Sequence, residues 1–480
     1  MKFVKASEDK RSFKKVEEGA TIYYKGINVF SVIIWPYCNL FGAFKQMNGS
    51  GGYLKFINFF ATIFIGRVRN FLYELRCIFR RKNNDPKIKD FILFEAAYGA
   101  KNAIRVIDPV IDELIFRNRK VAIGSFTFQK QYYKDGVEVI NYSNLIKISD
   151  MLAARNIIRK NRNEINRVIS NIQLEIPISI FLIRIWLVPH LKNILISMLV
   201  MDRLIKNNRI KCFVSTCEFN VHGRLFSMIS NQNNIPSVLL QHGITGAPDL
   251  TLREIYLSDH IGVYGPNQLK MLERAGVDKK KMHEVGSPAF ERLISIDKYP
   301  YSEVFDQFNK CSFVITIGLN PFDYNDNHAI INSILSVTQK EGYCVILKLH
   351  PGDSKRHYLG IQKANKQFII LDSDEISLPH LLKISDLLIT LQSNIAIDAI
   401  LLSVQVVEIN LLNREITKDY SKYVPQLNSI DEINAFFYQL NVDGKQNNFK
   451  RQDEYIVNEF GGNLVGSSKK TANLIEYAMH

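Results

Sequence analysis

The sequence predicts an α/β protein made of two successive doubly wound, Rossmann-like domains, each with a parallel sheet. Three observations predict it. At 480 residues the chain is longer than one hydrophobic core comfortably serves. From Asp90 onward, short apolar runs alternate with segments of helical periodicity. That alternation lapses once, in a polar stretch from Glu291 to Lys310 containing Pro300, and then resumes. Strands joined by connections of helix length pair in parallel through right-handed crossovers. The implied division is a basic extension over 1–89, a first domain over 90–295 and a second over 296–480, the two domains facing a cleft.

The elements follow in order. Phe91–Glu95 reads as a buried strand, the segment through Gly99 as its turn, and Ala103–Asn118 as a helix. Val121–Phe126 is a second strand. A long helical region runs from about Ser149 to Asn207, broken near Pro177, whose ring cannot continue a helix. Cys212–Thr216, Ser237–Leu240 and His260–Tyr264 are further short strands, with Val221–Asn231 a helix between the first two. After the lapse come the strands Phe313–Ile317, Cys344–Leu349, Phe368–Leu371, Leu387–Thr390 and Val404–Ile409, with helices at His328–Glu341, before Leu387, and at Asn394–Ser403. The tail after Ile430 reads as helical and then polar; in folds of this type it often crosses back over the first domain.

Charge is concentrated at one end. Of the net +14, residues 1–90 carry 17 Lys and Arg against 7 Asp and Glu, and the remainder is close to neutral. Such a basic pole is a footprint for an anionic partner. Within it, residues 53–82 combine aromatic and aliphatic side chains with Arg67, Arg69, Arg76, Arg80, Arg81 and Lys82. That pattern suits a helix lying in the headgroup plane of an anionic membrane; the competing reading is a basic helix packed on the body of the protein. No nucleic-acid motif accompanies it, so nucleic acid is not an expected partner. Two apolar stretches, Asn28–Phe44 and Ile178–Met201, are interrupted by Pro, Asn, Arg or Lys and do not read as spans. No cleavable leader is legible, and the six scattered cysteines lack metal or redox spacing, so they read as reduced thiols of a cytoplasmic protein.

In an open parallel sheet, ligands bind beyond the carboxyl ends of the strands. Three strands end in loops with chemically useful residues. Lys348-Leu349-His350-Pro351-Gly352 places Lys348 and His350 on one face of a strand, two donors suited to a departing nucleotide phosphate, with Pro351 fixing the turn. Ser393-Asn394 opens a helix, so the Ser393 hydroxyl, the Asn394 amide and the first backbone N–H groups offer an anion cradle. Gly318 lets the backbone approach the same nucleotide. In the first domain, Gln241-His242-Gly243 ends a buried strand and presents His242 to a sugar donor or acceptor. Glu218 is the first candidate for the carboxylate that takes the acceptor proton, with Glu95 and Asp249 as alternatives. Each has an ordinary reading too: a cap, a surface charge or a satisfied core histidine.

The order of these pieces is itself informative. LLQHG, then VYG, then VGSPAFERL, then KLHP, then a DLLIT strand with Ser393 and a helix, resembles the bacterial GT-B transferases of capsule and lipopolysaccharide assembly over roughly Ser215–Leu411. That group includes capsule Kdo transferases, sialyl- and polysialyltransferases and CDP-glycerol-type polymerases. The resemblance assigns His350 and Pro351 to a His-Pro motif that contacts the donor phosphate, and Ser393 to the first position of a paired Ser/Thr phosphate motif, whose second position is Asn394 here. The acidic triplet of the sialyl- and polysialyltransferase type is missing, which leaves the catalytic acid or base open.

What the resemblance implies is a metal-independent glycosyltransferase with no cofactor beyond its nucleotide-sugar donor, first of all a CMP-linked acidic sugar of the Kdo or sialic type. The acceptor is a bacterial surface polysaccharide, glycolipid or lipopolysaccharide, and the place of work is the inner face of the cytoplasmic membrane. Two rivals stay open: a CDP-polyol phosphotransferase of the same fold, and a membrane-docked scaffold without catalysis. An epimerase of this architecture has no need of the basic leader.

Overall fold

The computed structural model describes residues 12–18, 20, 22–33, 37, 61, 88–95, 101–125, 134–243 except 177 and 219, 256–295, 311–319, 324–338, 342–350, 353–372 except 366, 375–411, 419–443 and 450–480 except 463. The chain divides into two units. The first comprises Met1–Tyr264, Gln268–Pro288 and Ser467–His480, and the second Gly265–Asn267 and Ala289–Gly466. The expected limits of 90–295 and 296–480 therefore shift at both ends. Phe290 packs edge-on against Phe460 in the second unit. The closing helix Ser467–Ala478 belongs to the first, where Glu476 pairs with Arg117 at 2.7 Å and with Arg119 at 2.7 Å.

In the first unit a two-stranded antiparallel hairpin, β1 (Tyr23–Tyr24) and β2 (Ile27–Asn28), precedes the main sheet. That sheet contains β3 (Lys89–Glu95), β4 (Lys120–Ser125), β5 (Val137–Asn141), β6 (Arg209–Ser215), β7 (Ser237–Leu240), β8 (His260–Val263) and β9 (Met282–Glu284). All pair in parallel in the order β5-β4-β3-β6-β7-β8-β9. Phe91 to Phe94 are buried on both faces, as a parallel sheet covered on both sides requires. Over one face lie the helices Ile148–Lys160, Arg162–Glu175, Ile180–Asn207 and Val221–Gln232, which share a core with Phe91 and Leu93.

The described part of the N-terminal extension joins that core rather than standing apart from it. Phe13, Phe30 and Tyr37 are buried, Phe13 stacks on Phe30 with ring centroids 5.3 Å apart, and Tyr37 meets Trp186. These aromatic residues complete the apolar layer above the sheet. Arg67, Arg69, Arg76, Arg80, Arg81 and Lys82, expected from the sequence to meet a membrane, lie outside the described residues. Among the described residues, one helix is long and apolar enough to cross a membrane, Ile180–Asn207, and Trp186, Leu187, Leu191 and Leu195 of it are buried in this core.

The second unit is a six-stranded parallel sheet of β10 (Phe313–Gly318), β11 (Tyr343–Lys348), β12 (Phe368–Leu371), β13 (Leu387–Thr390), β14 (Gln405–Ile409) and β15 (Gln426–Leu427), in the order β12-β11-β10-β13-β14-β15. Cys311 and Cys344, read from sequence as reduced thiols, are joined as a disulfide with their Cα atoms 5.8 Å apart. The cause is register: Phe313 pairs with Tyr343, so the residues entering β10 run beside the start of β11. Among the described residues, Cys212 and Cys217 are not disulfide-bonded.

Candidate functional site

Each sheet reverses its strand order once. In the second unit the chain moves from β10 to β11 and β12 on one side, then crosses to β13, β14 and β15 on the other. The switch point lies between β10 and β13, where diverging loops leave a crevice at the carboxyl edge of an open sheet. Gly318 and Thr390 are register partners there, Thr390 pairs with Glu408, and the pairing of Ile317 with Leu347 brings Lys348 alongside Gly318. The loops carrying His350 and Ser393 thus leave the same edge of one sheet, on the two strands that flank β10.

The His350 turn is braced from below. The His350 carbonyl accepts from the Asp353 N–H at 2.9 Å. The Asp353 carboxylate accepts from the Ser354 N–H at 2.7 Å, the His357 ring at 2.9 Å and the Tyr358 hydroxyl at 2.8 Å. Buried Tyr358 in turn accepts from the Asn327 amide at 3.1 Å, which ties the turn to the helix Tyr324–Val337. Burial, with the acceptor carboxylate of Asp353, pushes the Tyr358 phenol well above its usual range, so it stays a neutral donor. The brace leaves the His350 ring exposed at the edge. Pro351 and Gly352 lie outside the described residues.

Lys348 does something other than expected. Its side chain is buried, and its ammonium donates to the Asp372 carbonyl at 2.5 Å, at the end of the neighbouring strand β12. The cation is held against the backbone, a position from which it supports the edge rather than reaching outward with His350.

The Ser393 loop is held by a buried carboxylate. Glu408 in β14 is fully buried; its Oε1 accepts from the Gln392 N–H at 2.8 Å and its Oε2 from the Gln426 amide at 2.7 Å. The Tyr420 hydroxyl bridges Glu408 at 2.7 Å and the Ser393 carbonyl at 2.9 Å. Gln392 takes a left-handed φ of 47°, strained for a residue with a side chain, and the bond to Glu408 helps to hold it. The helix starts at Ile395, with Asn394 in the cap position and no side-chain cap hydrogen bond. Ser393 therefore precedes the cap instead of forming it. A Cβ on Gly318 would stand 3.1 Å from Ile395 Cδ1, so this glycine admits the start of that helix against β10.

In the first unit the switch point lies between β3 and β6. His242, just past β7, is exposed, and its Nδ1 lies 2.6 Å from the Thr216 carbonyl at the end of β6. A carbonyl can only accept, so Nδ1 carries the proton and Nε2 is the basic nitrogen. Gln241 turns inward, its amide donating to Gln268 at 3.0 Å and its oxygen accepting from the Tyr264 N–H at 2.9 Å.

Glu218 has a different task from the one expected. It is 1% exposed, and its carboxylate accepts from the Leu257 N–H at 2.7 Å, the Ser258 N–H at 3.0 Å, the Ser258 hydroxyl at 2.6 Å and the Ser227 hydroxyl. Burial raises its pKa while these donors pull it back. A carboxylate so enclosed anchors the approach to β8 and offers little to an incoming hydroxyl. Glu95, the alternative, ends β3 at the switch point and is also buried, whereas Asp249 lies outside the described residues.

No protein-family model and no curated protein matches the sequence. Solved structures do. The UDP-GlcNAc 2-epimerase of Neisseria meningitidis, solved with UDP-GlcNAc bound, superposes with a TM-score of 0.53 at 14% identity, over 82% of this chain and 100% of its own. The wall teichoic acid polymerase TagF superposes with a TM-score of 0.50 at 14% identity, over 86% of this chain and 98% of its own. Identities this low speak to fold, and the fold is settled by them together with the two parallel sheets: the chain is a pair of Rossmann-like domains of the GT-B class.

Proposed function

We propose that this protein is a transferase acting from a nucleotide-activated donor, with the donor phosphate at the carboxyl edge of the second unit. One observation carries the reading: His350 and the Ser393-Asn394 loop leave the same edge of one sheet, on either side of its switch point, and each loop is braced by a buried acidic side chain. Parallel sheets bind nucleotides at such edges. His350 donates to the phosphate as charge develops on it, and the backbone N–H groups after Ser393 complete the cradle. In the first unit His242, with its tautomer fixed by Thr216, takes the proton of the acceptor hydroxyl.

Within that class we favour glycosyl transfer from a CMP-linked acidic sugar of the Kdo or sialic type to a bacterial surface glycan, carried out on the inner face of an anionic cytoplasmic membrane that residues 53–82 bind. A second reading is transfer of a polyol phosphate from a CDP-polyol, and the likeness to a teichoic acid polymerase favours it. Incubation with CMP-sugars, CDP-polyols and UDP-GlcNAc, read by mass spectrometry of the products, separates these from each other and from epimerisation. Turnover of none of the three classes contradicts the proposal. Flotation with anionic and neutral liposomes at low and high salt tests the membrane arm, which fails if binding ignores lipid charge.

A further inference from the structure

Between the helices Arg162–Glu175 and Ile180–Asn207 the chain turns through residues 176–179, and the turn is anchored from within. Ile176 and Ile178 are buried in the core above the sheet, together with Ile169 and Ile172 before them and Ile183 and Trp186 after. With those positions turned inward, the helical period turns Leu174, Ile180 and Phe181 outward. They are 85%, 46% and 68% exposed. Scattered single apolar residues are normal on a protein surface. Three large ones at the two ends of one short turn mark a surface that something else covers.

The surroundings say what covers it. Residues 155–185 carry six Arg and Lys against two Glu. Both glutamates are already met by cations, Glu175 by Lys15 at 3.3 Å and Glu164 by Arg167 at 3.4 Å. Arg184, one turn past Ile180 on the same side of its helix, donates to the Asn166 side-chain oxygen at 2.6 Å. That bond lays the guanidinium across the neighbouring helix, behind the apolar corner. Apolar tips backed by guanidinium groups fit the boundary of an anionic bilayer, where the tips reach acyl chains and the cations reach headgroup phosphates. A second copy of this chain fits poorly, because a two-fold contact through the corner sets the same cations against each other.

We propose that the corner formed by Leu174, Ile180 and Phe181 inserts into the surface of an anionic phospholipid bilayer, with Arg184 and the cations of the helix Arg162–Glu175 at the headgroups. The contact lies on the folded body of the first unit and depends neither on the donor nor on residues 53–82.

The test is flotation of the full chain with vesicles of phosphatidylglycerol and phosphatidylcholine, and with vesicles of phosphatidylcholine alone. Wild-type protein binds the anionic vesicles, and the neutral ones about tenfold or more weakly. Leu174→Ser combined with Phe181→Ser weakens anionic binding about tenfold or more, with an unchanged urea midpoint because both side chains are exposed. Phe181→Trp reports on depth: brominated acyl chains quench its emission beyond the quenching seen in wild-type protein. Should the serine variant prove less stable, this quenching decides. Arg76→Glu combined with Arg80→Glu tests residues 53–82 separately. Loss of binding in that variant, with the serine variant floating like wild type, overturns the corner and leaves the earlier membrane reading standing; the reverse pattern overturns only the role of residues 53–82. The proposal is also overturned if neutral vesicles bind as well as anionic ones, or if Phe181→Trp shows no added quenching. A lipid-free dimer that the serine variant converts to monomer overturns it too, since the corner is then an interface between copies.

Discussion

The Tyr420 hydroxyl stands 2.7 Å from the Glu408 carboxyl group, and this contact joins a buried acidic side chain in β14 to the loop that carries Ser393. Tyr420→Phe removes the hydroxyl, leaving Glu408 one donor short and the Ser393 carbonyl without its bridge. Unfolding in urea then shows a loss of roughly 1–3 kcal/mol, and nucleotide affinity weakens because the loop is no longer held. An unchanged midpoint contradicts the bracing role.

Glu218 tells an anchor from a catalyst. Glu218→Ala strips four donors of their acceptor, counting the bonds from Ser227, Leu257 and the backbone and side chain of Ser258. The expected cost in unfolding is about 3 kcal/mol. A variant that melts like wild type but has lost turnover would return Glu218 to the role of proton acceptor.

His242→Gln keeps a polar side chain but removes the basic nitrogen that the Thr216 contact leaves on Nε2. Turnover falls by about 10²–10⁴, while CMP affinity, which belongs to the second unit, does not change. Steady-state rates measured beside calorimetric titration check both halves of the statement.

Much of the fold was legible because parallel strands are buried on both faces and so stand out as apolar runs; β3, β6, β10, β11 and β13 all do. The loops that follow such runs pointed to His242, His350 and Ser393. What escaped is what needs a tertiary partner to make sense. Glu408 breaks an apolar strand and reads as a fault until Tyr420, Gln392 and Gln426 gather around it. Asp353 and Tyr358 look like ordinary loop residues until they brace a turn. Strand β5, with Glu138 exposed at the sheet edge, has no apolar run to announce it. Lys348 obeyed strand alternation but found a backbone carbonyl, which no periodicity encodes.

Stability has a pH signature at Glu95. Its folded value of about 8 stands above the ordinary 4.5. Between these values the unfolded chain releases the proton and the folded chain keeps it bound, so stability is greatest below about 4.5 and declines up to about 8, by an amount on the order of 5 kcal/mol. Glu95→Gln removes this contribution. Urea titrations across pH 5–9, comparing the two proteins, show it as a shallower slope in the variant; parallel slopes contradict the buried, uncompensated carboxyl.

Calorimetric titration of CMP, CDP and UDP into wild-type protein and His350→Ala tests the donor edge most directly. A cytidine nucleotide that binds wild type and loses at least about tenfold in affinity to the substitution, with folding intact, is the result expected for a histidine that bonds the phosphate. Equal affinity in both proteins, or no binding of any of the three, contradicts it.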